Sequence, residues 1–285
     1  MRISAKQRET PTDMSQYYPV LTIAGSDSSG GAGIQADIKS ISAQGCYAMS
    51  AITAITAQNT TGVRAVEGIS PAMVSAQIDA VSDDIPPLAT KTGMLYSADI
   101  IGAVADAIER HSLPCVVVDP VMVSTSGSRL LADDAVDTMT RRLFPLALIV
   151  TPNAAEAETL TGTTDIELQA KRLRQMGCRN VLLKGGDKTD TPWQKTDWLI
   201  TEGSSKALPL RADAVDTRNT HGTGCSLSAC MAARLALGDD LRTAVGRAKA
   251  YVTRALQAGA GITTGHGHGP MNHFFDPKRQ KITRQ

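Results

Sequence analysis

The chain is poor in aromatic residues and has no excess of charge of either sign. Phe, Trp and Tyr make up 4% of its 285 residues, which argues against stacking platforms for nucleic-acid bases and against an aromatic-rich recognition surface. Lys and Arg number 29 and acidic residues number 28, so the chain lacks the positive charge that binds a polyanion. These absences argue against nucleic acid and predict a small-molecule partner.

Long apolar runs and paired cysteines are also missing. No run approaches the ~20 apolar residues that a membrane-spanning helix needs, and residues 1–16 lack the apolar core of a signal peptide. The five cysteines are odd in number and form no Cys-x-x-Cys pair, which argues against the disulfide framework of a secreted protein. We therefore expect a soluble protein of the reducing cytoplasm with no membrane partner.

The chain does have a regular alternation of short apolar runs and longer amphipathic stretches, from residue 19 almost to its end. This alternation predicts strand–helix units around a mainly parallel sheet, an α/β fold. The expected strands are 20–24, 47–56, 88–92, 115–119, 146–151, 181–184 and 197–201. The expected helices are 32–44, 71–82, 98–111, 133–143, 155–160, 166–176, 224–237 and 241–258. No Pro-, Gly- or Ser-rich linker divides the series, so residues 19–285 are predicted to form one domain behind a flexible arm, residues 1–18.

Several of the expected strands end in polar or turn residues. In an open parallel sheet the ligand crevice lies outside the carboxyl ends of the strands, so these ends should share one rim. They are the segments 24–27, 92–94, 118–120, 151–153 and 184–187.

The strongest single feature is the Gly-Thr-Gly-Cys turn of residues 222–225, which precedes a helix of small residues. Glycines let the backbone approach a ligand, and free amides at a helix start bind anions, so Gly222, Thr223 and Gly224 suit a phosphate. A positive helix terminus would also lower the pKa of Cys225, whose thiol could then accept a proton. The alternatives are a loop that only caps a buried helix, and a cysteine that acts as a small apolar side chain.

A second glycine-rich segment, residues 24–37, follows a strand and opens a helix as a nucleotide loop would. Its glycine spacing fits neither the dinucleotide fingerprint nor the P-loop. Its Ser and Asp side chains suit a polar ligand, and the alternative is a helix-capping turn.

Three further patterns carry candidate chemistry. Asn153 and Glu156 share a helix face and could hold the water shell of Mg²⁺, or they could form a capping box. Lys184, at a strand end, could offer its charge to phosphates or be merely solvated. The alternating glycines and histidines of residues 265–269 lack a carboxylate or cysteine to complete a metal site, so a surface turn is expected there.

Together these segments closely resemble the hydroxymethylpyrimidine/phosphomethylpyrimidine kinases of thiamine biosynthesis, a branch of the ribokinase-like superfamily. The likeness runs in family order from about residue 19 to 275. The segments that carry it are 21–27, 29–37, 56–60, 91–95, 118–122, 151–153, 183–186 and 219–225.

The resemblance implies a three-layer α/β/α sandwich, ribokinase-like, that forms a homodimer. The implied reaction transfers the γ-phosphoryl group of ATP, with Mg²⁺, to 4-amino-5-hydroxymethyl-2-methylpyrimidine. The monophosphate product would then be phosphorylated again at the same site. In this likeness Gln58 hydrogen-bonds the pyrimidine, and Gly25, Asp37 and Met94 line the same pocket.

The resemblance also assigns the phosphoryl end of the site. It places Gly222, Thr223, Gly224 and Cys225 at an anion hole for the transferring group. ATP phosphates would meet Lys184, Asn153, Gly222 and Gly224. The magnesium ion would be held, mostly through water, by Glu156, Asn153 and Asp119.

Cys225 departs from the wider superfamily, whose sugar kinases carry an Asp base at the equivalent position. It is therefore a candidate base, with the alternative that the substrate hydroxyl loses its proton late in a loose transition state.

Two rival functions stay open at this point. Some members of the same branch phosphorylate pyridoxal or pyridoxine, and Gln58 and Met94 favour the aminopyrimidine. A non-catalytic pyrimidine-binding protein would keep the fold without the transfer, and the presence of Lys184, Asn153, Glu156 and Cys225 argues against it.

Overall fold

The computed structural model describes residues 15–122, 131, 133–185, 194–204 and 206–283. Most of the arm predicted at residues 1–18, and the last two residues of the 184–187 strand end, lie outside this part of the chain. Within it, no helix combines the length and the apolar character that crossing a membrane requires.

The strands and helices alternate along most of the chain, as the apolar pattern predicts. The strands are β1 Gln16–Tyr17, β2 Pro19–Asp27, β3 Tyr47–Asn59, β4 Gly62–Gly68, β5 Ala89–Thr92, β6 Val116–Val118, β7 Ile149–Val150, β8 Val181–Leu183, β9 Gln194–Ile200, β10 Leu208–Asp213 and β11 Ile282–Thr283. The helices are α1 Gly33–Ala43, α2 Pro71–Asp84, α3 Ala98–His111, α4 Asp133–Thr138, α5 Ala154–Thr161, α6 Ile166–Gln175, α7 Thr223–Ala236 and α8 Leu241–Gly259. A π-helical turn, Met139–Leu143, and a 3₁₀ turn, Phe144–Leu146, follow α4.

The main sheet has the strand order β10-β9-β8-β7-β6-β5-β2-β3-β4. Its centre, from β8 to β3, is parallel, whereas β9, β10 and β4 run antiparallel to their neighbours. Parallel strands need crossover connections, which the helices provide on both faces. A separate pair of short strands, β1 and β11, joins residues 16–17 to residues 282–283.

Side-chain alternation along the strands produces two hydrophobic cores. Val116 and Val118 face a core completed by helices α2 to α6, and Val117, between them, faces a core completed by α1, α7 and α8. A central strand buried on both faces must be apolar on both, which explains its continuous apolar run. The predicted three-layer α/β/α sandwich is confirmed.

The sequence did not predict β4 and β10, which form the two edges of the main sheet. Both are edge strands with partly exposed side chains, so neither shows the apolar alternation of a buried strand. Pro209 is tolerated in β10 because an edge strand can leave an amide position unpaired.

Phe144 offers a test of the larger core, because its ring is fully buried. We expect Phe144→Ala to lower the free energy of unfolding by about 3–5 kcal/mol through the lost contacts and the cavity left behind. Denaturant unfolding measures this change. The matched control is Phe274→Ala at a ring that is 49% exposed, and an equal loss in the two variants would contradict the described core.

Candidate active site

A cavity of about 700 Å³ opens at the carboxyl ends of the central strands. Met94, Asp119, Asn153 and Lys184 line it from the segments that follow β5, β6, β7 and β8. The rim predicted from the strand ends is therefore present. Every predicted site residue except Asp37 lines this cavity: Gly25, Gln58, Met94, Asp119, Asn153, Glu156, Lys184, Gly222, Thr223, Gly224 and Cys225.

The anion turn, residues 222–225, is held by a close contact between two loops. Gly222 adopts φ +77°, and a Cβ placed on it would lie 1.9 Å from the carbonyl oxygen of Gly31. Only glycine fits this position. Gly222 is also the N-cap of α7 and has no side chain to bond the first amides of the helix. The Thr223 amide donates to the Thr220 carbonyl oxygen at 3.3 Å, so the next two amides, those of Gly224 and Cys225, are the ones available to an anion.

Cys225, at the start of α7, is a protonated thiol near neutral pH. Burial raises its pKa to about 11, although the nearby charge of Lys91 acts in the opposite direction. The expectation that the helix terminus lowers this pKa was therefore wrong, because removal of the thiolate from water costs more than the local positive charges return.

Asp37 lies beneath the cavity, paired with Lys91. Lys91 Nζ is 2.7 Å from Asp37 Oδ2, and both side chains are 0% exposed. Thr22 Oγ1 also donates to Asp37 Oδ2, at 2.6 Å. Burial opposes the charge on Lys91, but Asp37, together with Cys225 and Asp119, outweighs it and raises the Lys91 pKa above its usual range. Asp37 thus holds a buried cation under the site and does not face the pocket.

Lys184 brings a second positive charge against the anion turn. Its Nζ is 2.7 Å from Asp119 Oδ1, and a Cβ on Gly224 would lie 3.3 Å from the same Nζ. Thr151 donates to Asp119 Oδ1, at 3.0 Å. Burial disfavours the charged form of Asp119, yet Lys184 and Lys91 lower its pKa overall, so the pair stays ionised.

Asn153 and Glu156 form the capping box that begins α5. Asn153 Oδ1 accepts from the Glu156 amide at 2.9 Å, and Glu156 Oε2 accepts from the Asn153 amide at 2.8 Å. Burial raises the pKa of Glu156 to about 6, and the nearby charge of Asp119 adds to this increase. Both side chains also line the cavity, so the capping role and a ligand-binding role are compatible.

Gln58, Gly25 and Met94 come together at the β2–β3 side of the cavity. The Gly25 amide donates to the Met94 carbonyl at 3.1 Å, and a Cβ on Gly25 would meet Met94 Sδ at 2.9 Å. This side also contains His221, whose Nε2 lies 2.8 Å from Asp27 Oδ2. Sequence reasoning assigned no role to His221 or Asp27, although both sit inside the motifs it singled out.

The opposite side of the cavity lies near β10 and α8, where apolar side chains lie beside charged ones such as Asp197 and Lys249. Val215, Val252 and Leu256 line it. Asp197 joins this side to the strand end at Lys184, because it accepts from the Gly185 amide at 2.8 Å and from Lys249 Nζ at 2.6 Å. β10 lies at one edge of the sheet, and β3, which carries Gln58, lies next to the other edge, so this end and the Gln58 end are opposite ends of the cavity.

The family model described as phosphomethylpyrimidine kinase matches residues 27–272, which include all the predicted site residues except Gly25. The chain belongs to the phosphomethylpyrimidine kinase family. A kinase of this kind takes its phosphoryl group from ATP, so small molecules are the partners of this family member.

Individual relatives agree with this family assignment. A hydroxymethylpyrimidine/phosphomethylpyrimidine kinase of Rhizobium meliloti is 48% identical over 260 residues, which cover 89% of this chain and 96% of the relative. A thiamine biosynthesis bifunctional protein of Geobacter sulfurreducens is 46% identical over 90% of this chain, and the match spans about half of that protein, 52%. The crystal structure of an ADP complex of Bacillus subtilis pyridoxal kinase has a TM-score of 0.81 at 35% identity, covering 90% of this chain and 98% of that one.

The buried Lys91–Asp37 pair should be costly to break from one side. We expect Lys91→Met to lower the free energy of unfolding by about 3–5 kcal/mol, because it leaves a carboxylate buried without its partner. Adding Asp37→Asn in the same chain should recover most of the loss. Denaturant unfolding of the two variants measures both effects.

The control for this pair is Lys278→Met. Lys278 Nζ is 2.6 Å from Asp276 Oδ2, but both side chains are largely exposed, so the pair is screened by water and its loss should barely move the unfolding midpoint. An equally small effect of Lys91→Met would contradict the buried charge.

Proposed function

We propose that this chain phosphorylates 4-amino-5-hydroxymethyl-2-methylpyrimidine with ATP, and then phosphorylates the monophosphate to give the pyrophosphate used in thiamine biosynthesis. The observation that carries the proposal is that one cavity contains both the Gln58 amide and the anion turn, with Lys184 against that turn. Family membership and the Rhizobium meliloti relative support the same substrate.

The geometry suits phosphoryl transfer, which needs positioning and charge stabilisation more than covalent chemistry. The free amides of the turn and the Lys184 ammonium would surround the transferring group, where charge accumulates in the transition state. The apolar β10–α8 end would take the nucleotide base, and the Gln58 end would take the pyrimidine. The hydroxymethyl group would then face residues 222–225.

Asn153, Glu156 and Asp119 suit a magnesium ion bound mostly through water. They offer oxygen donors in one part of the cavity, but the described residues contain no cluster of three or more His, Cys, Asp or Glu fit to enclose a metal. Mg²⁺ keeps several of its waters in such sites. When bound, it would neutralise charge on the ATP phosphates, while Lys184 and the anion turn hold the transferring group.

Cys225 is the proposed base for the substrate hydroxyl. Its thiol must first lose its own proton, since burial raises its pKa to about 11. The thiolate fraction therefore grows with pH throughout the range in which the enzyme is assayed.

The alternative substrate is pyridoxal, which the Bacillus subtilis neighbour's name indicates for that protein. The higher identity to a hydroxymethylpyrimidine/phosphomethylpyrimidine kinase, 48% against 35%, favours the aminopyrimidine. A non-catalytic pyrimidine-binding protein is disfavoured, because Lys184, Cys225, Asn153 and Glu156 all line the cavity.

Substrate-dependent ATP consumption tests the proposed function. With Mg²⁺ present, we expect turnover to require the aminopyrimidine alcohol and its kcat/KM to exceed that of pyridoxal. Lys184→Met should lower kcat by about 10²–10³-fold, the usual effect of losing one stabilising donor at the reacting group, while Lys171→Met on the exposed face of α6 should not. Higher kcat/KM for pyridoxal would overturn the substrate assignment.

The pH dependence of the chemical step tests Cys225. If the thiolate is the base, the single-turnover rate should rise about tenfold per pH unit between roughly pH 7 and 9, because this range lies below the thiol pKa. Cys225→Asp should flatten the profile, since a carboxylate is already ionised there. A flat profile in the native protein would exclude the base role and favour late proton loss.

A further inference from the structure

The Gln58 side-chain amide lies between two polar neighbours. Its Nε2 is 3.3 Å from His221 Nε2, and its Oε1 is 3.2 Å from Thr56 Oγ1. Each neighbour has a second, closer partner: Asp27 Oδ2 is 2.8 Å from His221 Nε2, and the Ser26 carbonyl oxygen is 2.8 Å from Thr56 Oγ1.

Those second partners determine where the hydrogens are. A carbonyl oxygen and an ionised carboxylate can only accept, so Thr56 must donate to Ser26 and His221 Nε2 must donate to Asp27. The carboxylate is ionised because hydrogen bonds from His221, Ser29 and Ala32 outweigh its burial and hold the Asp27 pKa at about 2.

With these hydrogens placed, the amide has one satisfactory orientation. In the orientation described above, the NH₂ group of Gln58 faces the N–H of His221, so two donors meet. Its oxygen faces a lone pair of the Thr56 hydroxyl, so two acceptors meet. Turning the amide by 180° exchanges its oxygen and nitrogen, which have nearly the same size, and removes both conflicts. The oxygen then lies beside His221 Nε2–H, and the NH₂ group donates to Thr56 Oγ1.

We propose that His221, oriented by Asp27, and Thr56 are positioning residues that fix which way round Gln58 presents its amide, and so select the hydrogen-bonding edge of the substrate. This inference rests on the proposed function and identifies what determines substrate choice within that site. His221 is itself held in place: its amide donates to the Gly269 carbonyl at 3.1 Å, and its ring packs on Gly31, where a Cβ would lie 2.4 Å from Cδ2.

The consequence for the substrate follows from its ring. A 4-aminopyrimidine presents an amino donor next to a ring-nitrogen acceptor, which pairs with the amide oxygen and NH₂ respectively. The ring cannot turn over to suit the opposite amide, because its hydroxymethyl group must face residues 222–225. A 4-oxopyrimidine of the same shape presents an acceptor next to an N–H donor, the reverse pattern, and would meet the fixed amide with both pairs mismatched.

The test compares kcat/KM for 4-amino-5-hydroxymethyl-2-methylpyrimidine and for its 4-oxo analogue. We expect the native enzyme to prefer the amino compound by about 10⁴-fold, as sites built around such hydrogen bonds do. His221→Phe and Thr56→Val each free the amide to turn and should reduce this preference at least about tenfold, the value of one hydrogen bond. His221→Gln, which can still donate to Asp27, should retain most of it.

The matched control is His111→Phe. His111 Nε2 also lies close to an aspartate, 2.6 Å from Asp79 Oδ1, but outside the cavity, so its loss should leave the preference unchanged. Thermal unfolding of every variant establishes that it is folded. If His221→Phe does not fold, the comparison is made with Thr56→Val.

The outcomes separate this inference from the proposed function. An unchanged preference in the folded variants overturns the positioning role alone. Failure of the native enzyme to phosphorylate the amino compound overturns the proposed function and the inference with it. A merely structural role of His221 would lower kcat/KM for both compounds equally, and that result also rejects the inference.

Discussion

The ion pair between Lys91 and Asp37 is the constraint around which the active site is built. It joins β5 to α1 beneath the cavity, and the Thr22 hydroxyl ties it to β2. A buried pair of this kind contributes little net stability, because desolvation offsets the attraction between the charges. It does, however, fix the positions of β5, α1 and β2 relative to one another. The Lys91 ammonium also requires Gly93 to lack a side chain, since a Cβ there would lie 2.7 Å from Nζ.

A second consequence concerns charge. Around the turn at 222–225 lie the buried Lys91, the partly buried Lys184 and three buried carboxylates, Asp37, Asp119 and Glu156. Each lysine pairs with one aspartate, and Glu156 is left as the third carboxylate. Burial raises its pKa, the charge of Lys184 opposes this rise, and the charge of Asp119 adds to it. A divalent cation bound there would offset the cost of burying this third negative charge. The two lysines offset it less, because each is already paired with an aspartate.

The sequence predicted the alternating strands and helices and most of the rim because both depend on local patterns, whereas the three layers were implied by the family resemblance. Buried parallel strands are apolar throughout, and their ends are marked by polar turns such as 92–94 and 151–153. The edge strands β4 and β10 lack this continuous apolar character, so the sequence did not predict them. The rise in the Cys225 pKa, the burial of Asp37 and the contact between His221 and Asp27 depend on distant partners, which no local pattern encodes. The homodimer and the arm at residues 1–18 stay predictions.

The contact between the Gly31 and Gly222 loops has a consequence for how the protein folds. His221 and Asp27, which flank this contact, are 194 residues apart along the chain. Contacts between such distant segments form late, because loop closure costs entropy before it is repaid, and folds rich in them fold slowly. During synthesis most of the chain must therefore leave the ribosome before these two loops can meet, so the turn at 222–225 takes its final shape together with the finished fold.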